Sequence, residues 1–109
     1  TQWFDNFDVQ PCPTSTEPPF DEDIRYVERV GDHAFDNYVD WLYIVAAITL
    51  TGRPAISVPC GFTSSGLPVG LQLVGQPRGE AGLLSMAASA EEIFGLSGQL
   101  PIDPRPGAA

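Results

Sequence analysis

The chain has 109 residues, 43% of them hydrophobic, which is enough for one small domain and too little for two. Its formal charge is −9, and the asymmetry lies in residues 1–40, where ten acidic groups face only Arg25 and Arg29. Such a surface repels phosphate backbones and anionic lipid, so nucleic acid and membrane surfaces are excluded as partners, while a small polar or neutral ligand is not.

Eleven Gly and eleven Pro occur without a repeat period, which suits short strands and turns better than a fibrous protein. Trp3 to Val9 alternates raggedly before the Pro11-Cys12-Pro13-Thr14 corner and predicts a short strand that ends at proline. Ser15 to Asp23 is acidic, proline-bearing and aperiodic, hence a loop. From Ala34 onward, Ala34, Phe35, Tyr38, Val39, Leu42, Val45, Ala46 and Thr49 recur at helical spacing, with Asp32 as the expected N-cap and Gly52 and Pro54 as the stop.

Ala55 to Val58 and Val69 to Val74 are β-branched or leucine-rich and bounded by Pro and Gly, so both predict strands, with Thr63-Ser64-Ser65-Gly66 turning between them. Gly79 to Gly95 predicts a second helix whose stripe is Leu83, Leu84, Ala87, Ala88, Ala90 and Phe94, closed by Gly95. Residues 101–109 form a proline-rich tail. Strand, helix, strand, strand, helix is an α/β arrangement. Its apolar strands suit a sheet covered on both faces, which two helices cannot achieve alone.

No chemistry-bearing constellation is evident. Cys12 and Cys60 are the only thiols and stand outside any metal-ligand spacing, so they are expected as buried free cysteines in a reducing compartment. His33 is the sole histidine and there is no lysine, so no Ser/His/Asp or lysine-assisted nucleophile is assigned, and no metal or cofactor. The longest charge-free run, Pro54 to Pro77, is too broken by Pro, Gly, Ser and Gln for a membrane span, and a cytoplasmic location is expected.

Residues 51–75, TGRPAISVPCGFTSSGLPVGLQLVG, resemble the C-terminal part of the amidase signature family. Gly52, Pro54, Ala55, Val58, Pro59, Cys60, Gly61, Gly66, Pro68, Gly70, Gln72 and Gly75 fall at that family's spacing, and the likeness extends from Asp8 to the alanines of the last helix. Gln10, Pro11, Cys12 and Arg53 depart from its usual residues. The resemblance implies that residues 1–109 are the C-terminal segment of such a domain, an incomplete piece of a mixed-sheet α/β fold with about three strands and two to three helices. It also implies hydrolysis of carboxamide C–N bonds by a Ser, cis-Ser, Lys triad located upstream, this segment being inactive alone.

In that family the residue ten positions before the glycine matched by Gly52 reaches the acyl pocket. It is acidic in glutamine-using transamidases and apolar in fatty-amide hydrolases. Here it is Leu42, with Val39 one turn before and Val45 and Ala46 one turn after on the expected helix. Leu42, Val39, Trp41 and Val45 are therefore the expected substrate-binding residues, for a small apolar or aryl amide, although such a stripe equally suits plain core packing. The implied partners are the amide and the remainder of the amidase chain or a complementary subunit, with a homodimer of the parent open. Two other readings stay open: part of a tRNA-dependent amidotransferase catalytic subunit, or a separate acidic binding module that uses residues 17–40.

Overall fold

The computed structural model describes residues 2–99, so the predicted tail at 101–109 lies outside the described residues. Five strands and three helices follow in order: β1 (Gln10–Pro13), β2 (Arg29–Val30), β3 (His33–Ala34), α1 (Tyr38–Trp41), α2 (Tyr43–Leu50), β4 (Ala55–Phe62), β5 (Pro68–Val74) and α3 (Glu80–Phe94). Two short 3-10 turns, Gln2–Asp5 and Ser97–Gln99, flank them. The α/β class stands, with the strands divided between a three-stranded antiparallel sheet, order β1-β5-β4, and the two-residue hairpin β2-β3.

Proline placement accounts for this strand order. Pro11 and Pro13 lie on one edge strand, Pro59 lies on the other beside a bulge, and Pro68 is the first residue of the central strand. Those are the positions at which a residue without an N–H costs the ladder least. The expected strand at residues 3–9 is accordingly corrected. Its start is a 3-10 turn, and the strand is the proline-bearing segment 10–13, held by pairing of Pro11 with Leu73 and of Pro13 with Leu71.

The second correction concerns the first helix. His33 and Ala34 belong to a hairpin turned by Gly31, whose φ is +57°, and helix begins only at Tyr38. Asn37, not Asp32, is the N-cap: its Oδ1 accepts from the backbone N–H of Val39 and Asp40, both at 3.0 Å. Asp40 Oδ2 also accepts from the N–H of Asp36, the residue before the cap, at 3.1 Å, which ties the entering chain to the first turn. The helix is interrupted at Leu42 and then runs to Leu50, ending at Thr51 and the left-handed Gly52 as expected.

The core lies between the β4-β5 hairpin and α3. Val58, Leu73, Leu83 and Ala87 are buried together, with Val9, Ile56, Leu71, Ala90 and Phe94 packed around them. Strand parity produces this: Ile56 pairs with Leu73 and Val58 with Leu71, so their side chains share the face that meets α3. α3 presents a narrower stripe than expected, because Leu84 is 60% exposed and Ala88 is exposed as well. Leu83 and Ala87, four residues apart, carry the contact, and Gly75 lets the helix approach, since a Cβ there would sit 3.3 Å from the Cβ of Leu83. Gly95 ends the helix in the left-handed region.

Candidate functional site

The opposite face of the sheet buries Val74 at one end and is polar beyond it. Cys12, Gln72 and Ser57 form one cross-strand row, and beyond it Gly70 pairs with Pro59. Over Gly70 the hydroxyls of Thr14 and Ser57 meet at 2.8 Å, joining the end of β1 to β4 across the central strand. A Cβ at residue 70 would lie 2.7 Å from Ser57 Oγ and 3.0 Å from Thr14 Oγ1, so only glycine leaves room for that bond.

These hydroxyls form the floor of an open groove of about 700 Å³ whose far wall is Glu17, Phe20 and Trp41. The acidic loop is drawn onto α1 by the Trp41 indole N–H, which donates to Glu17 Oε1 at 2.6 Å, while Thr16 Oγ1 donates to Glu17 Oε2. Phe20 meets Trp41 edge-on with ring centroids 5.9 Å apart, and Tyr26 and Tyr38 complete the cluster at 6.0 and 5.4 Å from Trp41. A half-buried carboxylate is thus held against aromatic rings by two donors, neither charged.

A second hollow, about 380 Å³, lies along α2 and is lined by Leu42, Val45, Ala46, Thr49 and Leu50. These positions fall at helical spacing, so they share one side of the helix, and no ionisable side chain lines the hollow. The structure therefore divides the four residues that sequence reasoning groups together. Leu42 and Val45 line the α2 hollow, Trp41 faces the groove, and Val39 lines neither and is 72% exposed. Adjacent residues 41 and 42 part because the helix is interrupted at Leu42 and because Glu17 draws Trp41 toward the loop.

Sequence reasoning missed Glu17, Phe20, Thr14 and Ser57. The lone glycine in the strand at 69–74 was the available signal for the last two, since such a glycine marks close approach of neighbouring groups.

His33 is exposed and stacks edge-on with Phe35, ring centroids 5.0 Å apart. Ser64, Ser65 and Gly66 form the β4-β5 turn, where the Gly66 N–H donates to Thr63 O and the Ser65 and Thr63 hydroxyls meet at 2.8 Å. Both cysteines are free and half-buried, less enclosed than the buried thiols expected. Gln72 Nε2 donates to Cys12 Sγ at 3.5 Å, and Cys60 Sγ donates to Val69 O at 3.4 Å. Among the described residues no group of three or more His, Cys, Asp and Glu could hold a metal ion, and no helix is long and apolar enough to cross a membrane.

The Amidase family model matches residues 1–84. The chain is 43% identical over 91 residues to a glutamyl-tRNA(Gln) amidotransferase subunit of Myxococcus xanthus, an alignment that covers 84% of this chain and 18% of that protein. The same-named subunit of Thermodesulfovibrio yellowstonii is 38% identical over 89 residues, 82% of this chain and 17% of that protein. A Mycobacterium tuberculosis protein called "Putative amidase AmiA2" is 38% identical over 104 residues, covering 90% of this chain and 20% of that protein. The chain thus spans 17 to 20% of the length of these relatives.

Proposed function

This chain belongs to the amidase family, and from that premise we propose that the protein carrying it hydrolyses carboxamides whose acyl group is apolar or aryl, releasing a carboxylate and ammonia or an amine. The nucleophilic serine, its cis-serine and its lysine come from residues upstream of this chain, which contains no lysine of its own. The observation that carries the reading is the α2 hollow: Leu42, at the position where the family resemblance expects the acyl group to be selected, opens with Val45 onto a cavity free of ionisable lining. A hydrocarbon or aryl group gains there by leaving water, at about 25 cal/mol per Å² of apolar surface buried. A glutamine α-ammonium would enter with no counter-charge, and a buried unpaired charge is costly.

The names of two of the relatives favour a second reading, in which the parent is the catalytic subunit of a glutamine-dependent tRNA amidotransferase. It requires an acid at the hollow. The candidate by proximity, Asp40, has Oδ2 committed to the Asp36 N–H and does not line the hollow.

The two readings separate by ammonia release from the full-length protein with alkyl, aryl and glutamine amides. Hydrolysis of the apolar amides, lowered at least tenfold in kcat/KM by Leu42→Asp, supports the first, the introduced carboxylate costing upwards of ~1.4 kcal/mol of transition-state binding. Glutamine as the preferred amide establishes the second. Unchanged preference across the acyl series in Leu42→Asp removes the hollow from the reaction.

A further inference from the structure

The groove over Gly70 has a composition that the amide reading does not use. Glu17 is half-buried, its two donors are a neutral indole N–H and a neutral hydroxyl, and no ion pair satisfies its charge among the described residues. Each carboxylate oxygen accepts two hydrogen bonds, so one acceptor position on each remains beyond Trp41 and Thr16. Phe20 and Trp41 put aromatic surface next to that charge, and the faces of such rings are negative. Opposite them, one of the Thr14 and Ser57 hydroxyls donates to the other, and both oxygens keep lone pairs for a further donor. Val69 supplies apolar wall, and the groove volume of about 700 Å³ falls within the range of small-molecule sites.

We propose that this groove is a binding site for a small organic ammonium ligand, with the charged nitrogen donating to Glu17 and the hydrocarbon lying against Phe20, Trp41 and Val69, while the Thr14–Ser57 hydroxyl pair keeps the groove floor polar. Each wall selects against another class of ligand. The carboxylate repels anions. The aromatic surface favours an organic cation over a strongly hydrated metal ion, and the open acceptor positions on Glu17 favour an ammonium that carries N–H donors over a quaternary one.

The test is isothermal titration calorimetry on the full-length protein with n-butylammonium chloride and with n-butanol, its neutral analogue of similar shape, at one fixed ionic strength. The ammonium binds and the alcohol binds at least tenfold more weakly, because a charge-assisted hydrogen bond is about twice as strong as a neutral one and the rings add to it. In Glu17→Gln the amide oxygen still accepts from the Trp41 indole, so the loop stays on α1, yet n-butylammonium affinity falls about tenfold toward that of the alcohol. Equal affinities for ammonium and alcohol in the unaltered protein overturn the proposal without any variant. So does an absence of heat with both ligands, or a Glu17→Gln protein that keeps the ammonium preference. Turnover is not part of the measurement, so failure here is distinguishable from failure of the amide reading.

Discussion

Replacing Gly70 by Ala tests whether the sheet face beneath the groove is built as described. The added methyl carbon falls 2.7 Å from Ser57 Oγ and 3.0 Å from Thr14 Oγ1. Neither obstacle is the far end of a flexible side chain: both oxygens sit one atom beyond Cβ on residues in or next to strands, and they are hydrogen-bonded to each other. One hydroxyl must rotate away. The lost hydrogen bond costs about 0.5–1.5 kcal/mol, and forcing atoms into a packed site typically costs about 1–3 kcal/mol.

Alanine offsets part of this, since glycine within a strand is about 0.5–1 kcal/mol worse than alanine. The net expectation is a loss of about 1–3 kcal/mol, read as a fall in the urea midpoint at unchanged m-value. The cause is checked in a Ser57→Ala background, where the nearer oxygen is gone. There Gly70→Ala should cost at least ~1 kcal/mol less, a coupling of the size seen for residues in contact. A Gly70→Ala protein as stable as the parent, or a cost that persists undiminished when Ser57 is alanine, refutes the argument.

Trp41→Phe keeps an aromatic ring against Phe20 and removes the indole N–H that donates to Glu17. Because the carboxylate is only half-buried, the expected loss is about 1.5 kcal/mol, the lower end for hydrogen bonds to charged groups, measured by chemical unfolding. Exchange of the backbone amides of Ser15, Thr16, Glu17 and Phe20 should accelerate with it, as the loop is freed. At the Gln76–Gly79 turn, closed by the Gly79 N–H donating to Gln76 O at 3.0 Å, Arg78 has φ +57°. Glycine at residue 78 should therefore be more stable than alanine there by about 1 kcal/mol, the penalty of a left-handed backbone with a Cβ. The reverse order would show that residue 78 does not occupy that conformation.

The legibility of the chain follows the range of the interactions involved. β4, β5 and α3 were readable because their cues are local: apolar runs bounded by Pro and Gly, a helical stripe, and a glycine that takes the left-handed turn after Phe94. In the amino-terminal part, Ala34 and Phe35 fit the helical period by coincidence. The Asn37 cap, with Asp40 three residues on, was also written in the sequence and decides where the helix begins. The segment 10–13 reads poorly as a strand because two of its four residues are proline, and only an edge position beside β5 makes it one.

The candidate site divides in the same way. Leu42, Val45, Ala46 and Thr49 lie within two helical turns, so periodicity alone puts them on one side of α2, and the family spacing from Gly52 singles out Leu42. Family membership, the hairpin, the last helix and that apolar stripe were determined by sequence alone, since each rests on residues a few positions apart. The direction of Trp41 was decided by Glu17, 24 residues away, and the Thr14–Ser57 pair spans 43 residues. Contacts at such separations depend on which strands pair and in what register. Tertiary structure therefore decided that a carboxylate, aromatic rings and two hydroxyls meet over one glycine.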